Sequence, residues 1–365
     1  MSEPSPLHDV HQRLGATFTD FAGWSMPLKY GSELAEHRAV REAAGMFDLS
    51  HMGEIELTGP EAGRALDYAL VGHLSAVKVG RARYTVICNA DGGVLDDLVV
   101  YRLGEDHYLV VANAANAALV AGELRDRASG FMVEVADRSR ECALIAVQGP
   151  RSVEIVGAVC PADLAALPYY GSTPTAIAGH DVLLARTGYT GEDGFEVYSD
   201  SGDAPEVWDA LAAAGAGSGL VPTGLACRDT LRLEAGMALY GNELTVETNP
   251  FEAGLGRVVK FDKPADFVGR APLERRRAAG VESALVGLVG TGRRAPRHGY
   301  PVVGEDGARV GTVTSGALSP TLGVPIAMAY VPVGMSEPGS KLAVDIRGTI
   351  APVGVVKLPF YKRST

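Results

Sequence analysis

Apolar and polar positions alternate in short runs along much of this chain, and Gly, Pro and Asp-Gly pairs cut the runs. Residues 82–114, ARYTVICNADGGVLDDLVVYRLGEDHYLVVANA, hold three such runs, broken at Ala90–Gly93 and at Gly104–Asp106. Period-two alternation bounded by turn residues predicts antiparallel strands joined by hairpins. Residues 181–198, DVLLARTGYTGEDGFEVY, read as two more strands around a Gly-rich turn. Helical spacing covers 32–44, with Ser32 as N-cap and Gly45 as the stop. Further helices are predicted from Pro60, over 114–128, after Pro150, from Pro205 through Trp208 to Gly215, and over 228–238. GAGSG at 215–219 follows an Ala-rich helix, not a strand, so it is a helix-end loop and not a dinucleotide fingerprint. The charged stretch 270–283 reads as a solvated helix. From about Glu282 the helix signals stop and only strands and turns remain, which predicts a separate all-β barrel or sandwich.

Composition narrows this. A length of 365 residues suits two or three domains, and 45 Gly with 21 Pro favour a strand-rich body over a long helical bundle. Hydrophobic residues make up 47% and charged residues 21%, which is the balance of a globular protein. The net charge of −11 argues against broad nucleic-acid binding, which needs clustered Lys and Arg. It leaves room for an anionic small ligand held by one or two placed cations. Four widely spaced cysteines, Cys88, Cys142, Cys160 and Cys227, form no C-x-x-C and read as small buried hydrophobes in a reducing compartment. No metal-ligand spacing, P-loop, H-E-x-x-H or G-x-S-x-G occurs. The N-terminal segment has no leader pattern and no run of apolar residues is long enough for a membrane span, so a cytoplasmic location is expected.

The candidate chemistry lies in polar residues set among apolar ones. Asp96 and Asp97 fall inside VLDDLVVY, and strand alternation sends their side chains to opposite faces. A carboxylate in apolar surroundings costs several kcal/mol unless paired or hydrogen-bonded. The alternative is a pair that caps the preceding hairpin turn. Glu192 and Asp193 fall in a turn and are expected to be wet, whereas Glu196 stands in the following strand. A carboxylate there suits two parallel hydrogen bonds to a guanidine-like edge. Arg228 is expected near a helix start, where an anion is favoured, or else in a salt bridge to Asp229 or Glu234. Tyr84, Tyr101 and Tyr189 offer flat walls for an aromatic ligand. His51, in FDLSHMGE, stands in a compact setting without an assigned role.

Together these segments carry a resemblance. DFAGWSMPLKY (20–30), GMFDLSHMGEI (45–55), GGVLDDLVVY (92–101), RTGYTGEDGFE (186–196), GLACRDTLRLEAGMALYGNEL (224–244), NPFEAGL (249–255), TSGALSPTLG (314–323) and PFY (359–361) closely resemble aminomethyltransferases, the T-proteins of the glycine cleavage system. The match runs in order through essentially the whole chain. It implies an α+β fold of mainly antiparallel sheets, with three subdomains in a cloverleaf around a folate site. Residues 1–270 would form the folate-binding body of two interleaved subdomains, and 282–365 the C-terminal β-barrel. It implies tetrahydrofolate as cosubstrate, no metal, and as partners the lipoylated H-protein and the other glycine cleavage components. The aminomethyl group would pass from the dihydrolipoyl arm to give 5,10-methylenetetrahydrofolate and ammonia.

Carried over by position, the resemblance makes Asp97 the catalytic acid, Glu196 the pterin-binding carboxylate and Arg228 a folate-binding arginine. Tyr84, Tyr101, Asn113 and Tyr189 would line the folate pocket, and Tyr361 would contact ligand from the C-terminus. Asp96, facing away, is expected to matter much less than Asp97. The alternatives are a non-catalytic folate-binding relative in iron–sulfur cluster assembly, which would carry a Lys-Gly-Cys-type motif that is absent here, and a folate-dependent demethylase. Arg275–Arg277 and Arg293–Arg297 are either a docking patch for an acidic partner or a solvated surface.

Overall fold

A computed structural model describes residues 2–363. The predicted strands of the N-terminal body sort into two large sheets that share the chain by turns. One has six strands, in the order Ser172–Ile177, His180–Ala185, Gly194–Asp200, Cys142–Gln148, Ala44–Asp48 and Leu220–Pro222. The other has five, in the order Arg81–Cys88, Val94–Gly104, His107–Ala112, Gly53–Thr58 and Glu134–Asp137. The chain leaves the first sheet after Asp48, builds the second, and returns at Cys142. All pairings within them are antiparallel except that of Leu220–Pro222 with Ala44–Asp48. A small three-stranded sheet of Glu3–Pro4, Trp24–Lys29 and Thr17–Phe21 precedes them.

Side-chain alternation decides what each face buries. On the Val94–Gly104 strand, Leu98 and Val100 turn outward to meet Leu66, Val120 and Leu124 from the helices Ala62–Ala69 and Ala117–Ala128. Val99 and Tyr101 turn inward, against Phe47, Leu144, Ala146 and Tyr198 of the six-stranded sheet. The outer face of that sheet packs Ile145, Val147, Phe195 and Val197 on Trp208 and Leu211 of the helix Ala204–Gly215. Each large side chain so buried contributes roughly 1.5–3 kcal/mol. The strands Ser283–Gly290, Pro301–Val303, Arg309–Leu318, Pro325–Pro332, Lys341–Ile346 and Thr349–Val356 close into a six-stranded barrel around Leu288, Val302, Val313 and Val344. Mainly antiparallel α+β architecture with a C-terminal barrel is therefore what the chain adopts.

Two helix boundaries differ from expectation. The first helix, Glu33–Glu42, is capped by Ser32, whose Oγ accepts from Ala35 N at 3.4 Å. Gly45 does not stop it but lies in the next strand, where an added Cβ would come within 2.4 Å of Val40 and 2.8 Å of Thr223. The helix expected over 228–238 spans Leu225–Glu234, because Gly224 starts it and the chain turns at Gly236 with φ +65°. No described helix is long and apolar enough to cross a membrane.

Candidate active site

The inner faces of the two large sheets bring the predicted residues together. Asp97 projects from the inward side of its strand and is half-buried. It accepts hydrogen bonds from Tyr84 OH at 3.0 Å and from Asn113 Nδ2 at 2.9 Å. Burial pushes its carboxyl up to about 6, although both hydrogen bonds favour the charged form. Asp96 does face the other way, and it is fully buried. It is not a turn cap and it is not isolated. Asn113 N, Asn113 Nδ2 and Asn116 Nδ2 donate to it at 3.0, 2.8 and 2.9 Å. Burial, then the nearby charge of Asp97, pushes Asp96 up to about 7. One asparagine therefore reaches both acids, although their side chains point to opposite faces.

Glu196 lies on the facing strand, opposite Ala146. Its Oε2 accepts from Thr187 Oγ1 and from Tyr101 OH, the latter at 3.3 Å, while Oε1 has no hydrogen-bond partner among the described residues. Burial raises its pKa, against the bond from Thr187 and the charge of Arg228. Beneath this loop lies Gln148, which sequence reasoning missed. Its Nε2 donates to Thr187 O at 2.9 Å and its Oε1 accepts from Thr190 Oγ1 at 3.0 Å. A Cβ at Gly188 or Gly194 would fall 2.0 or 2.3 Å from the Gln148 amide, so these two of the motif's three glycines make room for it. The one available signal was a Gln ending an otherwise apolar strand.

Arg228 is the fourth residue of its helix, not the first, and its N–H is already bonded to Gly224 O. Neither proposed salt bridge forms. Asp229 pairs with Arg232 at 2.7 Å, and Glu234 with Arg41 at 2.9 Å. The guanidinium of Arg228 instead lies 4.4 Å from the Tyr189 ring centroid, in a position to act on Glu196. Tyr189 OH donates to Ala238 O. His51 is buried beside this group with Nδ1 unpartnered, and burial together with the charge of Arg228 pushes it down to about 4, leaving it neutral near pH 7.

Tyr361 stands apart, stacked 4.0 Å under Arg41 and lining a surface pocket with Tyr169, Gly188, Gly191 and Glu192. Glu192 and Asp193 are not wet turn residues. Glu192 is buried against Arg41 at 2.7 Å, and Asp193 is half-buried and gripped by Arg186 at 2.5 and 3.0 Å. Arg41 comes from a distant helix, which a local reading of the turn leaves out, whereas Arg186 stands in the same loop as Asp193, 7 positions before it.

Comparison with known proteins shows the family of the chain. Residues 7–263 match the GCVT N-terminal domain and residues 284–362 the glycine cleavage T-protein C-terminal barrel domain. An aminomethyltransferase of Saccharopolyspora erythraea is 62% identical, with 100% of each chain covered. One of Streptomyces avermitilis is 59% identical, again over 100% of each chain. The crystal structure of glycine cleavage system aminomethyltransferase T from Bartonella henselae superposes with a TM-score of 0.93 at 36% identity, covering 99% of both chains. The chain thus belongs to the glycine cleavage T-protein family, the aminomethyltransferases.

Proposed function

We propose that this site transfers the one-carbon unit of an aminomethyl group, carried on the dihydrolipoyl arm of the H-protein, to tetrahydrofolate. The carbon leaves sulfur and nitrogen and joins two folate nitrogens. The two protons those nitrogens give up balance the thiol and the ammonia. The observation that carries the reading is one half-buried carboxylate, Asp97, on the inner side of the sheets together with a Glu196 oxygen and an Arg228 guanidinium that lack ionic partners among the described residues. Asp97 accepts or orients the proton lost from the attacking nitrogen and stabilises positive charge that develops on the carbon. Glu196, with Oε1 free, suits the paired N–H edge of a pterin, and Arg228 suits an anionic or carbonyl group of the same ligand. Tyr84 and Tyr189 supply flat walls, whereas Tyr101, expected as a third, is 0% exposed and serves through its OH, which donates to Glu196. Tyr361 lines a neighbouring surface pocket. Asn113 acts in this reading chiefly through the aspartates, since its amide nitrogen is committed to them.

The test is incubation with aminomethyl-loaded H-protein and tetrahydrofolate. Ammonia release that depends on folate is expected, and release at the same rate without folate defeats the reading. Glu196→Ala is expected to weaken folate affinity by roughly 10–100-fold, the equivalent of a charge-assisted hydrogen bond. Calorimetric titration checks this, and an unchanged Kd removes Glu196 from the pterin role.

A further inference from the structure

We propose that Asp96 is a positioning residue for Asp97 and acts through Asn113, whose amide it holds so that an N–H is delivered to the Asp97 carboxylate. The inference rests on the reading of Asp97 as the group that handles the substrate proton. Asp96 is 0% exposed and accepts three hydrogen bonds, two of them from Asn113 and one from Asn116. The Asn113 amide nitrogen also reaches Asp97 Oδ1 at 2.9 Å and Asp97 O at 3.2 Å. An amide nitrogen has two N–H donors, and a carboxylate only accepts. Both donors are therefore taken up between the neighbouring aspartates, and the amide oxygen is turned away from them.

Two observations separate this from a simple cap at the end of the His107–Ala112 strand. A cap needs only the bond from Asn113 N to Asp96, yet Asp96 also receives the side-chain amides of Asn113 and Asn116. Further, among the described residues Asp97 has only Tyr84 and Asn113 as side-chain donors, so Asn113 supplies half of its restraint. In Asp96→Asn, the new NH2 group faces donors. The Asn113 amide relieves this by half a turn, which points its oxygen at Asp97 and frees that carboxylate from one side. Displacement of a reacting group by about 1 Å costs up to about 10²-fold in rate.

The experiment compares wild type, Asp96→Asn, Asn113→Ala and the double variant in the full chain, with thermal unfolding recorded for each. In Asp96→Asn, kcat is expected to fall by about 10–100-fold, with KM for tetrahydrofolate held within about twofold. The double variant is expected to be no slower than the slower single variant, because residues acting through one another are non-additive. Losses that multiply, or a kcat for Asp96→Asn within about twofold of wild type, overturn the proposal. Hydrogen exchange of the Asn113 side-chain amide is read by NMR without any turnover. Exchange faster by about tenfold or more in Asp96→Asn is expected once the amide is released, and unchanged exchange overturns the proposal even if the parent reaction is misassigned. A wild type that fails to turn over defeats the functional reading alone. Should Asp96→Asn not fold, Asn116→Ser removes one donor to Asp96 and keeps both acids. It is expected to lower kcat by about 2–10-fold and to quicken the same amide exchange. No change in either measurement is the contrary result.

Discussion

Asp97→Asn is expected to lower turnover by roughly 10²–10⁴, the usual weight of a positioned acid–base group, with tetrahydrofolate still bound. The substitution keeps the shape of the side chain and one oxygen that Tyr84 OH, 3.0 Å from Asp97 in wild type, can still reach. It removes the negative charge and the proton-accepting capacity. Folate affinity is predicted to persist because Glu196 and Arg228 hold their places from other strands and helices. The wild-type pH profile supplies a second check. Burial lifts Asp97 to about 6, so the ionised form needed to accept a proton is lost as pH falls through that value. Turnover is therefore expected to decline on the acid side near pH 6, and the limb to vanish from the residual activity of Asp97→Asn. Asp96 titrates close by and its charge couples to Asp97, so the limb belongs to the pair. Normal turnover in a folded Asp97→Asn would remove Asp97 from the chemistry.

Glu234→Ala is expected to destabilise the chain by roughly 3–5 kcal/mol, the usual loss on breaking a buried ionic network from one side. Glu234 is fully buried at the end of its helix and joins three parts of the fold. Oε2 accepts from Arg41 Nη2 at 2.9 Å, His37 Nε2 at 3.1 Å and Thr321 Oγ1 at 2.7 Å. Oε1 accepts from Ser319 Oγ at 2.5 Å and Thr321 N at 3.0 Å. Ser319 and Thr321 belong to the barrel, so one carboxylate fastens the barrel to the body. Burial pushes Glu234 up, but the bond and charge of His37 with the bonds from Ser319 and Thr321 outweigh it and hold it at about 2. A depressed carboxyl stabilises the folded state above its unfolded pKa near 4.5 and loses that contribution as pH falls toward 2. The difference between variant and wild type should hence be full at pH 7 and shrink in strong acid. Denaturant unfolding at both pH values checks this, and a loss below about 1 kcal/mol at neutral pH, the ordinary scale of single substitutions, contradicts the anchoring role.

What the sequence revealed and what it hid have a common physical cause. The hairpins at Ala90–Gly93 and Gly104–Asp106, and the barrel strands after Glu282, were readable because alternation and turn residues act over a few positions. The interleaving of the two sheets was not, since Ala44–Asp48 pairs with strands that lie far along the chain. The same distinction runs through the site. Acids at Asp97 and Glu196 stand out within apolar strands and lie within family motifs. Glu192 was misjudged because its partner, Arg41, is 151 positions away. The contact of Asp96 was hidden too, because alternation predicts where a side chain points but not that Asn113, 17 positions on, reaches around to it.

The alternating use of the chain by the two sheets also constrains how the protein is made. Ala44–Asp48 cannot gain its parallel neighbour until Leu220–Pro222 has been synthesised, and Thr223 bonds to Met46 across 177 positions. The five-stranded sheet, whose strands lie between Gly53 and Asp137, has all its partners much earlier. On the ribosome, the sheet carrying Asp97 can therefore assemble first, while the sheet carrying Glu196 waits with an open edge. Slow closure of non-local pairs leaves such an edge exposed to other chains. Translation speed between residues 137 and 223 thus bears directly on the yield of folded enzyme.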